Sequence, residues 1–351
     1  MKKILIFSFL IVALITGCSG SGGAATQAAS QGGTVKLTLA AYTTPREAYG
    51  EIIPLFQAYW KEKTGQIVTF EESYLGSGAQ SRAVVEGFEA DVVALSLEAD
   101  VTRIAEAGLI TQDWKAAHNK GIVTTSVVAF AVRKGNPLGI RDWNDLVKDG
   151  VEILTPNPRT SGGAMWNLLA LYGALLRGQV EGVPAHDPAA AHEFVLDLLR
   201  NVKVMDKGAR ESITNFESGI GSVAITYENE VLVAQGQGQE YDMVLPKSTI
   251  LIQNPVAVVD VYADKHGTRE AAQAFVDFLF TKPAQEVFSH YGLRSIDPEV
   301  ANATAAQYPP IADLFTIEEF GGWSKATADY FGETGIFTQA LLDAQIPAAA
   351  P

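Results

Sequence analysis

The sequence predicts an α/β fold with mostly parallel sheets, divided between two lobes. Three observations carry this. From Val35 onward, short apolar runs alternate with amphipathic stretches of helical period. The chain that follows Gly33 is longer than one hydrophobic core ordinarily supports. Small-residue turns stand where predicted strands give way to predicted helices, the place where open α/β sheets hold ligands.

The elements follow in order. Val35, Leu37 and Leu39 alternate with Lys36 and Thr38, giving a first strand that ends near Tyr42. Thr44 then offers an N-cap, Pro45 the first helical position, and Glu47 a capping box. Tyr49, Ile52, Ile53, Phe56, Tyr59 and Trp60 fall at helical spacing, with a kink expected at Pro54 and a stop at Gly65. Ile67–Phe70 begins the second strand, and the same grammar repeats: helix over Ser77–Phe88, strand over Asp91–Leu95, helix over Asp100–Ala107, and a long strand over Val123–Val132. A short helix near Trp143–Val147, a strand at Val151–Thr155 and a long helix over Gly163–Leu176 come next. Later strands are expected at Val202–Met205, Val223–Tyr227, Met243–Leu245 and Val256–Val261, and helices at Arg269–Phe280, Pro283–His290 and parts of Ile317–Leu342. There is no internal repeat.

The N-terminus reads as a secretion signal. Met1-Lys2-Lys3 precedes an apolar run from Ile4 to Ile15, too short for the ~20 residues of a bilayer span. Ile15-Thr16-Gly17-Cys18 resembles the lipobox of bacterial lipoproteins, so Cys18 is the expected lipid-attachment residue and residues 1–17 the removed signal. The alternative is an unused thiol. Residues 18–33, rich in Ser, Gly, Ala and Gln, read as a flexible tether. The expected location is therefore extracytoplasmic, the body held at a membrane face by its lipid. With one cysteine, no disulfide forms within the chain.

A composition of 47% hydrophobic and 9% aromatic residues is that of a soluble globular body. A net charge of −14, without clustered Lys and Arg, argues against nucleic acid as a partner. Any bound anion must then be held against the overall field, by local dipoles.

Three turns bear on function: Thr43-Thr44-Pro45, Gly76-Ser77-Gly78 and Thr160-Ser161-Gly162-Gly163. Each puts backbone N–H groups at a helix N-terminus with no bulky side chain in front, a combination that binds anions. One such turn alone would read as an ordinary helix cap; three together with a secretion signal favour anion capture. Nucleotide binding lacks its marks: Gly76-Ser77-Gly78 is followed by Ala79-Gln80-Ser81 rather than a P-loop lysine. A serine hydrolase built on Ser161 would need a histidine, and His118, His186, His192, His266 and His290 all lie in stretches that read as surface helix or loop. No spacing suggests metal ligands, and no cofactor is expected. A surface scaffold would show repeats or aromatic patches, which the chain lacks.

Several segments are similar to the sulfate/thiosulfate-binding proteins of ABC importers: Leu75 to Val84, Glu89 to Leu95, Val132 to Pro137, Gly208-Ala209-Arg210, Glu228-Asn229-Glu230 and, most specifically, Thr155-Pro156-Asn157-Pro158 with Ser161 to Asn167. The resemblance implies a type II periplasmic-binding-protein fold, two α/β lobes joined by two crossover segments and closing on one anion. It also implies the contacts: the Thr43 backbone N–H, Ser77, the Ser161 hydroxyl, the N–H groups of Gly162, Gly163 and Ala209, and the Tyr227 side chain. Two positions depart from the family pattern. Thr43-Thr44 replaces the usual Asp-Pro, which a backbone contact tolerates. Tyr227 replaces a tryptophan whose N–H donates, and a phenol can accept as well as donate. Tyrosine there is a feature of related molybdate-binding proteins, so thiosulfate and then molybdate or tungstate stand behind sulfate as ligands.

A site made only of donors suits sulfate, which carries no proton near neutral pH, and rejects phosphate, which still carries one. Arg46 and Arg210 stand beside these positions and are read as structural ion pairs, Arg210 with Glu228 or Glu230. The first lobe is expected over 34–121 and 252–351 and the second over 122–251, with crossovers near Val123-Thr124-Thr125 and Ser248-Thr249-Ile250. The implied partners are sulfate, the membrane subunits of an importer and the membrane itself, with the protein a monomer.

Overall fold

A computed structural model describes residues 33–344. The secretion signal, Cys18 and the tether as far as residue 32 lie outside the described residues. The main strands are β1 (Thr34–Tyr42), β2 (Ile67–Leu75), β3 (Val92–Ala94), β4 (Ile122–Arg133), β5 (Ile153–Pro156), β6 (Val202–Asp206), β7 (Val223–Tyr227), β8 (Tyr241–Val244) and β9 (Ser248–Val258). The helices that matter for the site are α1 (Arg46–Thr64), α2 (Ser77–Val85), α3 (Glu98–Glu106), α4 (Gly162–Leu176), α5 (Pro188–Arg200), α6 (Ala209–Glu217) and α7 (Glu228–Gly236).

The protein is a two-lobed α/β fold. In the first lobe β1 lies between β2 and β3 and runs parallel to both. Its period of two sends Leu37, Leu39 and Ala41 into a core with Tyr49, Ile52 and Phe56 of α1 and with Phe275 and Phe288. Ala40 faces the other way, toward Val84, Val93 and Ile104. Covered on both faces, β1 has to be apolar on both, which is why it reads as a nearly continuous run after Leu39.

The second lobe repeats the parallel arrangement with β5 between β6 and β7. Helix α4 is apolar around its whole circumference and buried from Gly162 to Leu175, as a helix covered on all sides must be. The lobes are joined by the two long strands: β4 and β9 pair antiparallel from Ile122 to Val127 against Pro255 to Leu251. Beyond that stretch β9 continues onto β3 and β4 onto β7.

Four readings of local structure change. Helix α1 starts at Arg46 with Pro45 as cap, and Thr44 makes no capping bond. Glu47, expected in a capping box, instead takes a forked pair of hydrogen bonds from Arg210. Two charge-assisted bonds outweigh one bond to a backbone N–H. The strand expected to reach Val261 ends at Val258, because Asp260 turns to accept the N–H groups of Thr111 and Gln112 and opens a helix over Asp260–His266. Helices α5, α6 and α7 were not foreseen, although Asp187 caps α5 through Ala189 and Ala190 with Pro188 at its first turn.

The last described segment crosses to the second lobe. Asp313–Phe315 pairs parallel with Ser248–Ile250, and Phe315, Phe320, Trp323 and Phe337 enter the core built around Trp166 and Tyr172. A Cβ on Gly173 would stand 2.4 Å from the Phe315 ring, so glycine permits this approach. Arg177, at the C-terminal cap of α4, pairs with Asp313 and Glu319, and Trp166 meets Trp323 edge to face at 4.6 Å between centroids.

Candidate functional site

Six strand ends of the two lobes converge. From the first lobe come Thr43-Thr44 after β1, Gly76-Ser77 between β2 and α2, and Ser96 after β3. From the second come Ser161-Gly162-Gly163 at the start of α4, Gly208-Ala209 at the start of α6, and Tyr227 at the end of β7. The lobes touch here through the backbone: the Ala79 N–H donates to the Thr160 carbonyl at 3.1 Å. A Cβ on Gly76 would lie 2.6 Å from that carbonyl oxygen and 2.9 Å from the Lys207 carbonyl oxygen, so only glycine lets the walls meet. The structure thus brings together all seven residues singled out above: Thr43, Ser77, Ser161, Gly162, Gly163, Ala209 and Tyr227.

Each helix start exposes first-turn N–H groups that have no partner inside the helix, at the positive end of the helix dipole. Helix α4 is capped by Ser161, whose Oγ accepts the Ala164 N–H at 3.4 Å and keeps its own proton free to donate. The N–H groups of Gly162 and Gly163 are left without side chains in front of them. A Cβ at 163 would strike the Tyr227 ring at 2.9 Å and lie 3.5 Å from the Ala209 methyl. Helix α6 opens at Ala209 after Gly208, whose added Cβ would lie 3.7 Å from the Thr43 Oγ1 of the opposite lobe.

Ser77 behaves differently from the other predicted residues. Its hydroxyl donates to Asp100 Oδ2 at 2.6 Å and accepts the Ser96 N–H at 3.0 Å. With its proton held by a carboxylate, the side chain has nothing left to donate; its backbone N–H, at the first position of α2, still does. Asp100 is itself buried, and its other oxygen is taken by Arg103 at 2.7 Å.

The cation that bridges the cleft walls is neutralised. Arg210 bonds Glu230 at 2.8 Å, Glu47 in a fork and the Thr44 carbonyl at 3.2 Å, so it bridges the lobes. Glu228 pairs instead with Arg294. Arg46 lies over the Tyr74 ring at 4.6 Å. Burial would raise the Glu47 carboxyl, but the bond and charge of Arg210 bring it below the ordinary range. Burial dominates at Glu230 and raises it despite Arg210. Burial likewise raises the Tyr227 phenol, partly offset by its bond to Ser96, so it keeps its proton at neutral pH.

Sequence reasoning missed Ser96, Asp100 and Trp166 as parts of this site. Trp166 donates its indole N–H to the Ser96 carbonyl at 3.0 Å, fastening one lobe to the other. The available signal was slight: a serine in the turn that leaves a buried strand and an aspartate in the first turn of the helix that follows. Among the described residues no group of three His, Cys, Asp or Glu is placed to hold a metal ion, and no helix is long and apolar enough to cross a membrane.

The chain resembles known proteins over most of its length. A family profile described as Bacterial extracellular solute-binding protein matches residues 37–294. A protein named Sulfate-binding protein from Synechococcus elongatus is 46% identical over 93% of this chain and 91% of its own length. A Thiosulfate-binding protein from Pseudomonas aeruginosa is 36% identical over 85% of this chain and 90% of its own. The solved structure of the sulfate-binding protein SubI from Mycobacterium tuberculosis superposes with a TM-score of 0.76 at 39% identity, covering 83% of this chain and 97% of that one. These relatives are named for binding rather than catalysis. The chain belongs to the bacterial extracellular solute-binding protein family, and its likeness within that family is to proteins named for sulfate and thiosulfate.

Proposed function

We propose that this protein captures sulfate between its lobes, using neutral hydrogen-bond donors, and delivers it to the membrane subunits of an ABC importer. One observation carries the reading: three helix N-termini from two lobes meet at one point, where the bridging cation Arg210 is already paired with Glu47 and Glu230. Helix N-termini offer positive potential without a full positive charge, which suits an anion that must later be released. The donors would be the N–H groups of Thr43, Ser77, Gly162, Gly163 and Ala209, with the hydroxyls of Ser161 and Tyr227. Each bond to a charged acceptor contributes about 1.5–3 kcal/mol, so the seven together exceed the ~8 kcal/mol of micromolar affinity.

Donors from both lobes make binding and closure one event, the first lobe (34–121 with the return from 252) and the second (122–251 joined by the C-terminal segment from Asp313) moving about the paired strands β4 and β9. Cys18 would carry the lipid, tying a monomeric body to the membrane face where the importer lies.

Thiosulfate is the second reading, supported by the likeness to the Pseudomonas aeruginosa protein and by Tyr227; molybdate or tungstate is the third, on Tyr227 alone. Calorimetric titration of the purified protein with sulfate, thiosulfate, molybdate and phosphate at neutral pH tests this. Tight sulfate binding with phosphate silent is the expected result. Preference for molybdate would overturn the ligand, and heat from none of the four would overturn oxyanion capture.

A further inference from the structure

The two lips of the cleft meet at one backbone atom, the Thr160 carbonyl oxygen. A Cβ on Gly76 of the first lobe would lie 2.6 Å from it, and one on Gly78 would lie 3.4 Å from it and 3.5 Å from Arg82 Nη1. The Arg82 guanidinium therefore stands at the seam. On the second lobe Thr160 follows the exposed Arg159, and its hydroxyl donates to the carbonyl of the exposed Lys207 at 2.8 Å. A fourth cation, the exposed Arg46, lies 4.6 Å over the ring of Tyr74, two residues before Gly76.

These four differ from the cations deeper in the walls. Arg103 is paired with Asp100 and Arg210 with Glu47 and Glu230, whereas among the described residues Arg46, Arg82, Arg159 and Lys207 enter no ion pair. The exposed carboxylates of the same region are fewer: Glu72, which accepts the Tyr74 hydroxyl, and Glu211, whose Oε2 lies 2.5 Å from where a Cβ on Gly208 would stand. Asp206, just before Lys207, is buried and takes hydrogen bonds from Ser212 and Asn215.

The whole chain carries a net charge of −14, which repels a dianion approaching from solution. Attraction by a solvated charge reaches about 10 Å at 0.1 M salt. Hydrogen bonds from N–H groups act only at contact. A guanidinium does not lose its proton and is weakly hydrated, so it attracts an anion at any working pH. Unpaired cations at the mouth shorten the search, and neutral donors inside hold the ligand once it arrives.

We infer that Arg82 and Arg159, one on each lip, with Lys207 and Arg46 beside them, form an entry collar that draws a small dianion into the cleft and takes no part in the bound complex. This inference rests on the proposed capture of sulfate between the lobes.

The test compares two double variants of equal charge change. Arg82→Gln with Arg159→Gln alters the mouth; Lys61→Gln with Lys63→Gln alters the last turn of α1, about 22 Å along that helix from Arg46. Association and dissociation of potassium sulfate are followed by stopped-flow tryptophan fluorescence from about 10 to 300 mM potassium chloride, with melting curves to confirm folding. At the lowest salt the mouth variant should associate about fivefold more slowly than the original protein, and at the highest less than about twofold more slowly, with dissociation unchanged. The α1 variant should stay within about twofold of the original throughout. Equal losses in the two variants, or none in either, would overturn the collar and leave the cleft reading intact. Faster dissociation in the mouth variant without slower association would also overturn it, because the arginines would then be holding the bound anion. If the original protein gives no heat with sulfate in calorimetry, the cleft reading falls and the inference with it.

Discussion

The two walls of the cleft supply the same group, a backbone N–H, by different means. On the wall made by α4 and α6 the residues are Gly162, Gly163 and Ala209, and nothing larger than a methyl stands before the donors. On the wall of the first lobe the residues are Thr43 and Ser77, whose side chains could compete for a ligand. There Ser77 is kept from doing so by Asp100, and Asp100 is in turn balanced by Arg103. One wall is permissive because it is bare, the other because its polar groups are already satisfied. Substitutions should therefore act by bulk on the second lobe and by lost satisfaction on the first.

The largest effect should come from filling the bare wall. Gly163→Val puts carbon where an added Cβ already stands 2.9 Å from the Tyr227 ring, and should weaken sulfate about 100-fold or more (~3 kcal/mol) by calorimetry while the far-ultraviolet dichroism stays unchanged. On the facing wall Ser77→Ala keeps the backbone donor but strands Asp100 Oδ2 and the Ser96 N–H. It should cost about 1–3 kcal/mol of stability in urea titration, with less than about a tenfold change in sulfate affinity. If both substitutions behaved alike, the contrast between the walls would be wrong.

A smaller effect is expected where the walls are tied together. Arg210→Met removes the bridge from α6 to Glu47 and the Thr44 carbonyl, and should raise the sulfate dissociation rate about tenfold in stopped flow while the association rate holds. The smallest concerns a place far from either wall. His266 pairs with Asp91 at 2.9 Å and Glu89 at 3.0 Å, and the bonds to Asp91 and then Glu89 raise its pKa. A raised pKa means the folded state holds the proton more tightly than the unfolded one. That stabilisation is complete below the ordinary histidine range and is lost as pH rises through the folded value. The unfolding free energy from urea titration should therefore fall between pH 6 and 8.5 by no more than about 1 kcal/mol, given the partial exposure of the ring. His266→Gln should remove the slope, and sulfate affinity should not follow it.

Much of the site could be read from the sequence because its chemistry is local. Ser161-Gly162-Gly163 advertises a capped helix start wherever it folds, and Thr43 and Ser77 follow strands whose alternation is plain. What escaped depends on partners far along the chain. Ser96 is hydrogen-bonded to Tyr227, 131 residues away, and Glu47 gives up its capping box to an arginine 163 residues away. The crossing of the C-terminal segment to the second lobe escaped for the same reason: Phe315 and Trp323 are ordinary apolar residues until Gly173 and Trp166 receive them. Helices α6 and α7 are short, and their starts carry no side-chain cap to announce them.

The central claim is that both walls hold sulfate through uncharged donors. A crystal structure of the sulfate complex tests it most directly. Sulfate oxygens are expected within hydrogen-bond distance of the backbone nitrogens of Thr43, Ser77, Gly162, Gly163 and Ala209 and of the Ser161 and Tyr227 hydroxyls, with Arg210 still on Glu47 and Glu230. Sulfate seated on the Arg210 or Arg46 guanidinium, with those backbone nitrogens out of reach, would contradict it.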